Sequence, residues 1–301
     1  MFTKYTSLVI PTRNRFKFIS KVLKQLFDLK ISFNEIIVID SSNLNQKKLI
    51  TDLKKKYNIR LLHSKPSSSL QRNIGIKNMN PKNKFVMFLD DDVVFFKNAF
   101  REMDALIKKN ETHNLVAGFC FNQINNDQNS LFERFKSNNF IKKMNLYSDL
   151  PGQVTKSGWH TKILNVKKDI QANWVFTTAS IYKTKMIKNK LFTSSFGEYS
   201  YLEDLEFSLN VARLKKYYLL SSKAKFKHPI NIDRSSFIFG KIEILNRYHI
   251  IKKYKLSKTH FFTNVFFRFM ISLSKIVILN LNSFKRALGN IYGLILIIIK
   301  N

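Results

Sequence analysis

The feature that most constrains this chain is a series of short apolar runs, each stopping on polar or charged residues and separated by segments of helical periodicity. Leu8–Ile10 runs into Pro11-Thr12-Arg13-Asn14-Arg15, EIIVID at 35–40 ends on Asp40, and FVMFL at 85–89 runs into Asp90-Asp91-Asp92. Between the first two lies Phe16–Lys30, with Phe18, Ile19, Val22, Leu23, Leu26 and Phe27 on one helical face. Further helices are expected over Lys47–Tyr57, Ser69–Met79 and Asn98–Lys109, and strands over Arg60–His63 and Leu115–Phe121, with Pro11 stopping the first strand. This βαβα order predicts an α/β fold, a mostly parallel sheet with helices on both faces. Parallel strands bring their carboxyl ends to one edge, where such sheets bind ligands. Thr12, Asp40 and Asp90–Asp92 are therefore expected side by side.

Past Phe121 the signal changes. Residues 122–170 are polar and Asn-rich, which predicts a loop-rich insertion with one helix near Leu131–Ile141. Ala172–Tyr182 reads as extended, Glu203–Leu214 as a helix, and Lys216–Leu220 and Lys223–Phe226 as short strands before His228-Pro229. Phe261–Leu281 is strongly apolar, yet Asn264, Arg268, Ser272 and Lys275 recur at spacings of four, four and three, one polar stripe on a helix. A spanning helix needs about 20 apolar residues with few charges. The stripe instead fits a helix lying in the membrane interface, with Arg268 and Lys275 on anionic headgroups; the competing reading packs this face on the protein's own body. Ile291–Ile299 is apolar but too short to span. The expected division is 1–121, 122–235 and 236–301.

Composition narrows the partners. The net charge is +32, from 52 Lys and Arg against 20 Asp and Glu. Three readings compete: nucleic-acid binding, attraction to an anionic membrane, and a coding bias toward Lys, Asn, Ile and Phe. The excess is mostly Lys, whereas Arg is preferred for bidentate phosphate and base contacts, and no basic block alternates with aromatics as in single-strand binders. Nucleic acid is therefore not an expected partner, and an anionic membrane surface is. The single cysteine, Cys120, excludes a disulfide framework and a Cys-based zinc site, and sits in an apolar run as a core thiol. Met1–Ile10 contains no apolar stretch long enough for a signal peptide, so the chain is expected to stay at the cytoplasmic face of the membrane, peripherally attached.

Asp90-Asp91-Asp92 carries the most chemistry. Adjacent carboxylates repel unless something positive joins them, and Mg²⁺ or Mn²⁺ would use one or two of them plus substrate phosphates. If the backbone stays extended, Asp90 and Asp92 point to the same side. Glu203-Asp204 opens a helix, where acids also suit the macrodipole, and Gly197 provides a flexible entry to this stretch. His228 is a lone histidine after a strand. Arg72 and Asn73 precede Gly75, where a helix can approach a ligand closely.

These segments, IPTRNR at 10–15, EIIVIDSSN at 35–43, SLQRNIGIKN at 69–78, FLDDDV at 88–93, YLEDLEFSLNVARL at 201–214 and KFKHPIN at 225–231, follow the order and spacing of family-two inverting glycosyltransferases. The resemblance covers about residues 5–235. The tail, with LNRYHIIKKY at 245–254, resembles the basic apolar helices of rhamnosyltransferase-like members. The resemblance implies a GT-A fold and a DXD-type metal motif. It also implies transfer of a hexose or deoxyhexose from a nucleoside-diphosphate sugar to a glycan or lipid-linked acceptor. It places Thr12 and Asp40 beside the nucleotide base, Arg72 on base or ribose, Asp90 or Asp91 on the ribose, and Asp92 on the metal with His228 as a further contact. Pro11, Arg13 and Glu203 join the substrate-binding set, and Asp204 becomes the general base. Two departures stand out: Ser41-Ser42 follow Asp40 where many members carry a second acid and Gly, and Asn173-Trp174-Val175 lacks the glycines common there. Competing classes are a nucleotidyltransferase, which would carry a Gly-rich phosphate loop that Pro11–Phe16 lacks, and a non-catalytic polybasic binder.

Overall fold

The computed structural model describes residues 1–124, 138–197, 200–213, 215–228, 236–274 and 281–300. Chain contacts divide it into two compact units, 1–126 with 163–230, and 127–162 with 231–301.

The first unit holds one mixed sheet of β1 (Thr6–Thr12), β2 (Glu35–Asp40), β3 (Arg60–His63), β4 (Phe85–Leu89), β5 (Val94–Phe95), β6 (Val116–Gln123), β7 (Ile170–Ala172), β8 (Ala179–Lys183) and β9 (Tyr217–Lys227). Its order is β3-β2-β1-β4-β8-β6-β9-β5, with β7 also on β9. β1, β2, β3 and β4 run parallel, and β9 runs parallel to β6. β8 runs against both β4 and β6, and β5 and β7 run against β9. β1 and β4 are buried along their whole length, which is why Leu8–Ile10 and Phe85–Leu89 read as unbroken apolar runs rather than alternating ones. Helices α1 (Phe16–Asp28), α2 (Leu44–Tyr57), α3 (Ser68–Asn78) and α4 (Ala99–Asn110) stand where their periodicity puts them, with end shifts of a few residues.

Three expectations change. β1 does not stop at Pro11 but continues to Thr12 beside Asp40; the ladder to β4 has already ended at Val9 and Phe88, so the proline sits past that pairing. The two short strands near the end of the unit are one, β9. Ser221 and Ser222 at the join are buried, and Ser222 N and Oγ both donate to Asp169 Oδ1, at 2.7 and 2.8 Å. Gly75 serves packing rather than a ligand: a Cβ there would lie 2.4 Å from Val9 Cγ1, so its absence lets α3 lie on β1. Cys120 is a buried free thiol, as expected, and burial pushes its pKa well up.

In the second unit, helices Phe237–Lys253, Lys258–Ser274 and Leu281–Lys300 pack with residues 138–162. Of the helix expected near Leu131–Ile141, 131–137 lie outside the described residues, and Asn139–Lys143 is helical. Helices Phe237–Lys253 and Leu281–Lys300 touch backbone to backbone: a Cβ on Gly240 would lie 2.2 Å from Arg286 O, and one on Gly289 2.0 Å from Phe237 O.

Asn264 and Arg268, the members of the polar stripe whose side chains are described, face inward, which overturns the assignment of Arg268 to lipid headgroups. Asn264 is fully buried and donates to Leu146 O and Ser157 Oγ at 3.0 Å each. Arg268 donates to Tyr147 Oη at 3.1 Å and joins Arg247 and Arg286 around the buried Glu243. Burial alone would raise the Glu243 pKa; the three guanidinium charges outweigh it and hold it far below the usual range. Lys275 lies outside the described residues. A stripe of this spacing fits a solvent face or an internal hydrogen-bonding seam equally well, and the partner that decides, Glu243, comes from another helix. The unit also exposes rows of apolar side chains: Phe262, Phe266 and Met270 on one helix, and Leu288, Tyr292, Ile295 and Ile299 on another. No helix among the described residues is long and apolar enough to cross a membrane.

Candidate active site

The expected convergence is present. Thr12 and Asp40 are register partners at the ends of β1 and β2, and Asp90 follows β4 on the far side of β1. β9 shares their direction through β6, so His228 arrives at the same edge.

The chain leaves the extended conformation at Asp91 and Asp92, which form a turn. Strand alternation therefore fails, and Asp90 and Asp92 do not act as a pair. Asp90 Oδ1 receives Arg72 Nη2 at 2.8 Å. Asp91 accepts from Thr12 Oγ1 at 2.6 Å and meets Arg15 Nη1 at 2.8 Å. Asp92 meets Arg15 Nη2 at 2.5 Å and His228 Nε2 at 2.8 Å. The protein itself thus supplies cationic groups to all three carboxylates.

Their proton affinities diverge as a result. Burial pushes Asp91 up to about 7, with Asp92 and Asp90 adding and Arg15 and Thr12 opposing. Burial would also raise Asp92, but the hydrogen bond and charge of His228, with Arg15, outweigh it and hold Asp92 below its ordinary value. Burial would lower His228, and Asp92 outweighs it to raise the imidazole. The Asp92–His228 ion pair is therefore complete between the lowered carboxylate pKa and the raised imidazole pKa.

Arg15 was not among the sequence candidates. It is placed by Asn14, which takes a left-handed φ of 55° and is pinned at both ends: its N–H donates to Ser42 Oγ at 2.6 Å, and its Oδ1 accepts from Asn43 N at 2.9 Å. An Asn between two arginines at a strand end was the available signal, since Asn tolerates this conformation. Arg13 is exposed. Asp40 is buried and accepts from Ser42 N at 2.9 Å; its Oδ2 lies 3.7 Å from His63 Nδ1 and has no hydrogen-bond partner among the described residues.

Glu203 and Asp204 part company at the start of helix Glu203–Val211. Glu203 is buried and held by Arg72 Nη1, Ser69 Oγ and Ser68 Oγ. Arg72, itself buried, thus bridges Glu203 to Asp90 and ties this helix to the end of β4. Asp204 is half-buried and accepts from Thr177 Oγ1 at 3.0 Å and, more weakly, from Thr177 N at 3.4 Å. Burial raises its pKa, Arg72 opposes, and the charge of Asp90 adds. Leu202, the residue before the helix, sits at φ 72°, a strained conformation for a branched side chain. Such an outlier is held only when its surroundings fix it, here at the turn that presents Asp204. Thr177, Ser68 and Ser69 also escaped the sequence reading, because their roles depend on contacts across more than 25 residues of chain.

The profile of the family described as "Glycosyl transferase family 2" matches residues 7–183. The chain belongs to glycosyl transferase family 2. Nothing narrows it to the rhamnosyltransferase-like branch. No curated protein matches. Among solved structures, residues 1–349 of S. aureus TarS share 16% identity at a TM-score of 0.52, covering 87% of this chain and 71% of that one. The mannosyltransferase PcManGT from Pyrobaculum calidifontis, in complex with GDP-Man and Mn²⁺, shares 11% at 0.52, covering 83% and 63%. GalNAc-T7 with UDP, GalNAc and Mn²⁺ shares 11% at 0.56, covering 82% and 47%. At these identities the likeness is one of fold, and the mixed sheet with flanking helices agrees with a GT-A-like fold. The chain spans 41% of the longer S. aureus TarS chain.

Among the described residues no group of three or more His, Cys, Asp or Glu is arranged to hold a metal. Asp92 and His228 nevertheless face each other across 2.8 Å, and Asp92 Oδ1 is buried without a geometrically satisfied hydrogen bond. With the His228 imidazole deprotonated, the two would give a divalent ion two protein ligands, its remaining oxygens coming from a diphosphate and water.

Proposed function

We propose that this protein is an inverting glycosyltransferase that moves a hexose or deoxyhexose from a nucleoside-diphosphate sugar to a hydroxyl of a glycan or lipid-linked acceptor, with Mg²⁺ or Mn²⁺ as cofactor. The observation that carries this reading is the meeting, at one sheet edge, of a charge-compensated triplet, Asp90–Asp92, and a separate carboxylate, Asp204, with raised proton affinity. In this reading residues 1–121 form the donor half and 122–235 the acceptor and base half. Asp40 Oδ2 and Thr12 offer acceptors to the nucleotide base, with Pro11 buried in the end of β1 and Arg13 exposed at the rim. Asp90 and Asp91 face the ribose, and Arg72 with Glu203 holds the helix that carries the base. Asp92 and His228 would hold the metal, which supplies charge neutralisation on the departing diphosphate.

The chain's own groups do the rest. Asp204 takes the proton of the acceptor hydroxyl as that oxygen attacks the anomeric carbon, and the bond from that carbon to the diphosphate breaks on the opposite face. A carboxylate whose pKa is raised is a better base, and Thr177 fixes its orientation. Arg15 adds positive charge beside the leaving group. Titration with a panel of sugar nucleotides, with and without Mn²⁺, is the test. One of them should raise the melting temperature only with metal and be hydrolysed or transferred. A nucleotide triphosphate doing so in its place would favour a nucleotidyltransferase.

We further propose peripheral attachment to an anionic membrane surface, supported by the net charge of +32 and by the exposed rows Phe262–Phe266–Met270 and Leu288–Tyr292–Ile295–Ile299. An exposed apolar row flanked by Lys252, Lys253, Lys255 and Lys258 combines both ingredients of interfacial binding. In flotation with anionic and neutral liposomes, the wild type should float with the anionic ones and be released by high salt. Phe266→Ser, at an exposed position, should reduce binding about 10-fold. Carbonate-resistant association would instead indicate a span, and no binding would return these rows to ordinary surface.

A further inference from the structure

At the far end of β4 from the triplet, the first unit contains a cavity of about 510 Å³ lined by Lys84, Lys183, Thr184, Lys185 and Lys188 with one acid, Glu111. Phe85 opens β4 and pairs with Lys183, the last residue of β8. Five residues of strand put this cavity roughly 16 Å from Asp90 along the sheet, so it is separate from the proposed donor site. Three features mark it as more than a surface hollow. Its size falls in the range of small-ligand pockets, about 300–1,000 Å³. Lys183 is 4% exposed, and among the described residues its ammonium has one acceptor, His113 O at 2.8 Å, leaving two N–H donors. Thr184 is 5% exposed, and its hydroxyl has no hydrogen-bond partner among the described residues.

We propose that this cavity binds the phosphate group of a phosphate-bearing ligand through Lys183, Thr184 and the exposed Lys185 and Lys188. A partly buried ammonium with two open donors and an unsatisfied buried hydroxyl are each costly alone, and phosphate oxygens accept from both. The four lysines outweigh Glu111 by three charges, enough to neutralise a phosphate dianion. The electrostatics agree: burial, with Lys185 and Lys216, pulls Lys183 down to about 8 although Glu111 opposes. Bound phosphate would restore its charge. The lowered pKa also makes Lys183 an unusually acylatable amine, which gives the test its readout.

The experiment is acylation of the intact protein at pH 8 in chelator, read by peptide mass spectrometry. The added solutes are inorganic phosphate, glucose 6-phosphate, phosphatidic acid vesicles, or sodium chloride at matched ionic strength. Phosphate or glucose 6-phosphate should slow Lys183 modification about five-fold or more over chloride. Protection by the two soluble probes assigns a soluble phosphate ester, and protection by the vesicles alone assigns a lipid headgroup phosphate. Lys185→Glu with Lys188→Glu, both exposed, should keep the melting temperature and abolish the protection. Equal modification under phosphate, vesicles and chloride overturns the proposal, as does full protection in the double variant. Arg15→Ala should leave the protection unchanged, which separates this site from the donor site.

Discussion

Asp92→Ala is expected to lower sugar transfer by about 10³-fold and to remove the metal dependence of nucleotide binding, while the protein stays folded. The effect should be this large because Asp92 is where two compensating groups meet, Arg15 at 2.5 Å and His228 at 2.8 Å. Removing it takes the anionic partner away from both Arg15 and His228 at the point where a divalent ion and a diphosphate are proposed to sit. Loss of one such electrostatic element costs about 10²–10³-fold in well-studied sites, and here metal retention is lost as well. The fold should survive because Arg15 keeps Asp91 at 2.8 Å and the strands beneath are buried along their length. The measurement pairs turnover with nucleotide affinity at several Mn²⁺ concentrations and a melting curve. A variant whose nucleotide binding still rises with Mn²⁺ as in wild type would remove Asp92 from the metal assignment.

Asp204→Asn should retain donor binding and lose turnover by about 10²–10⁴-fold, the usual worth of a positioned general base. The amide keeps an acceptor for Thr177 but cannot take a proton. The pH profile sharpens the test. The base works deprotonated, so the rate falls as pH drops through the Asp204 pKa. Burial and the Asp90 charge raise that pKa, so the acid limb of wild type should lie above the ordinary carboxylate value of about 4. In Asp204→Asn that limb should vanish from the residual activity. If donor affinity falls as far as turnover, Asp204 is structural and the base lies elsewhere.

The sequence determined the first half of the sheet and the edge where the chemistry gathers. EIIVID and FVMFLDDD are local signals: buried parallel strands leave unbroken apolar runs, and their polar ends mark the carboxyl edge without knowledge of any neighbour. Tertiary structure decided whatever depends on partners distant in the chain. The insertion of antiparallel β8 between β4 and β6 leaves no trace in the run Ala179–Lys183 itself. The inward turn of Asn264 and Arg268 was undetermined because helical spacing fixes which residues share a face, not what that face meets. Arg13 and Arg15 are not distinguishable from sequence for a related reason. Side-chain direction at a strand end depends on the backbone of the turn, and that turn is set by Asn14 bonding to Ser42 and Asn43, 28 and 29 residues away.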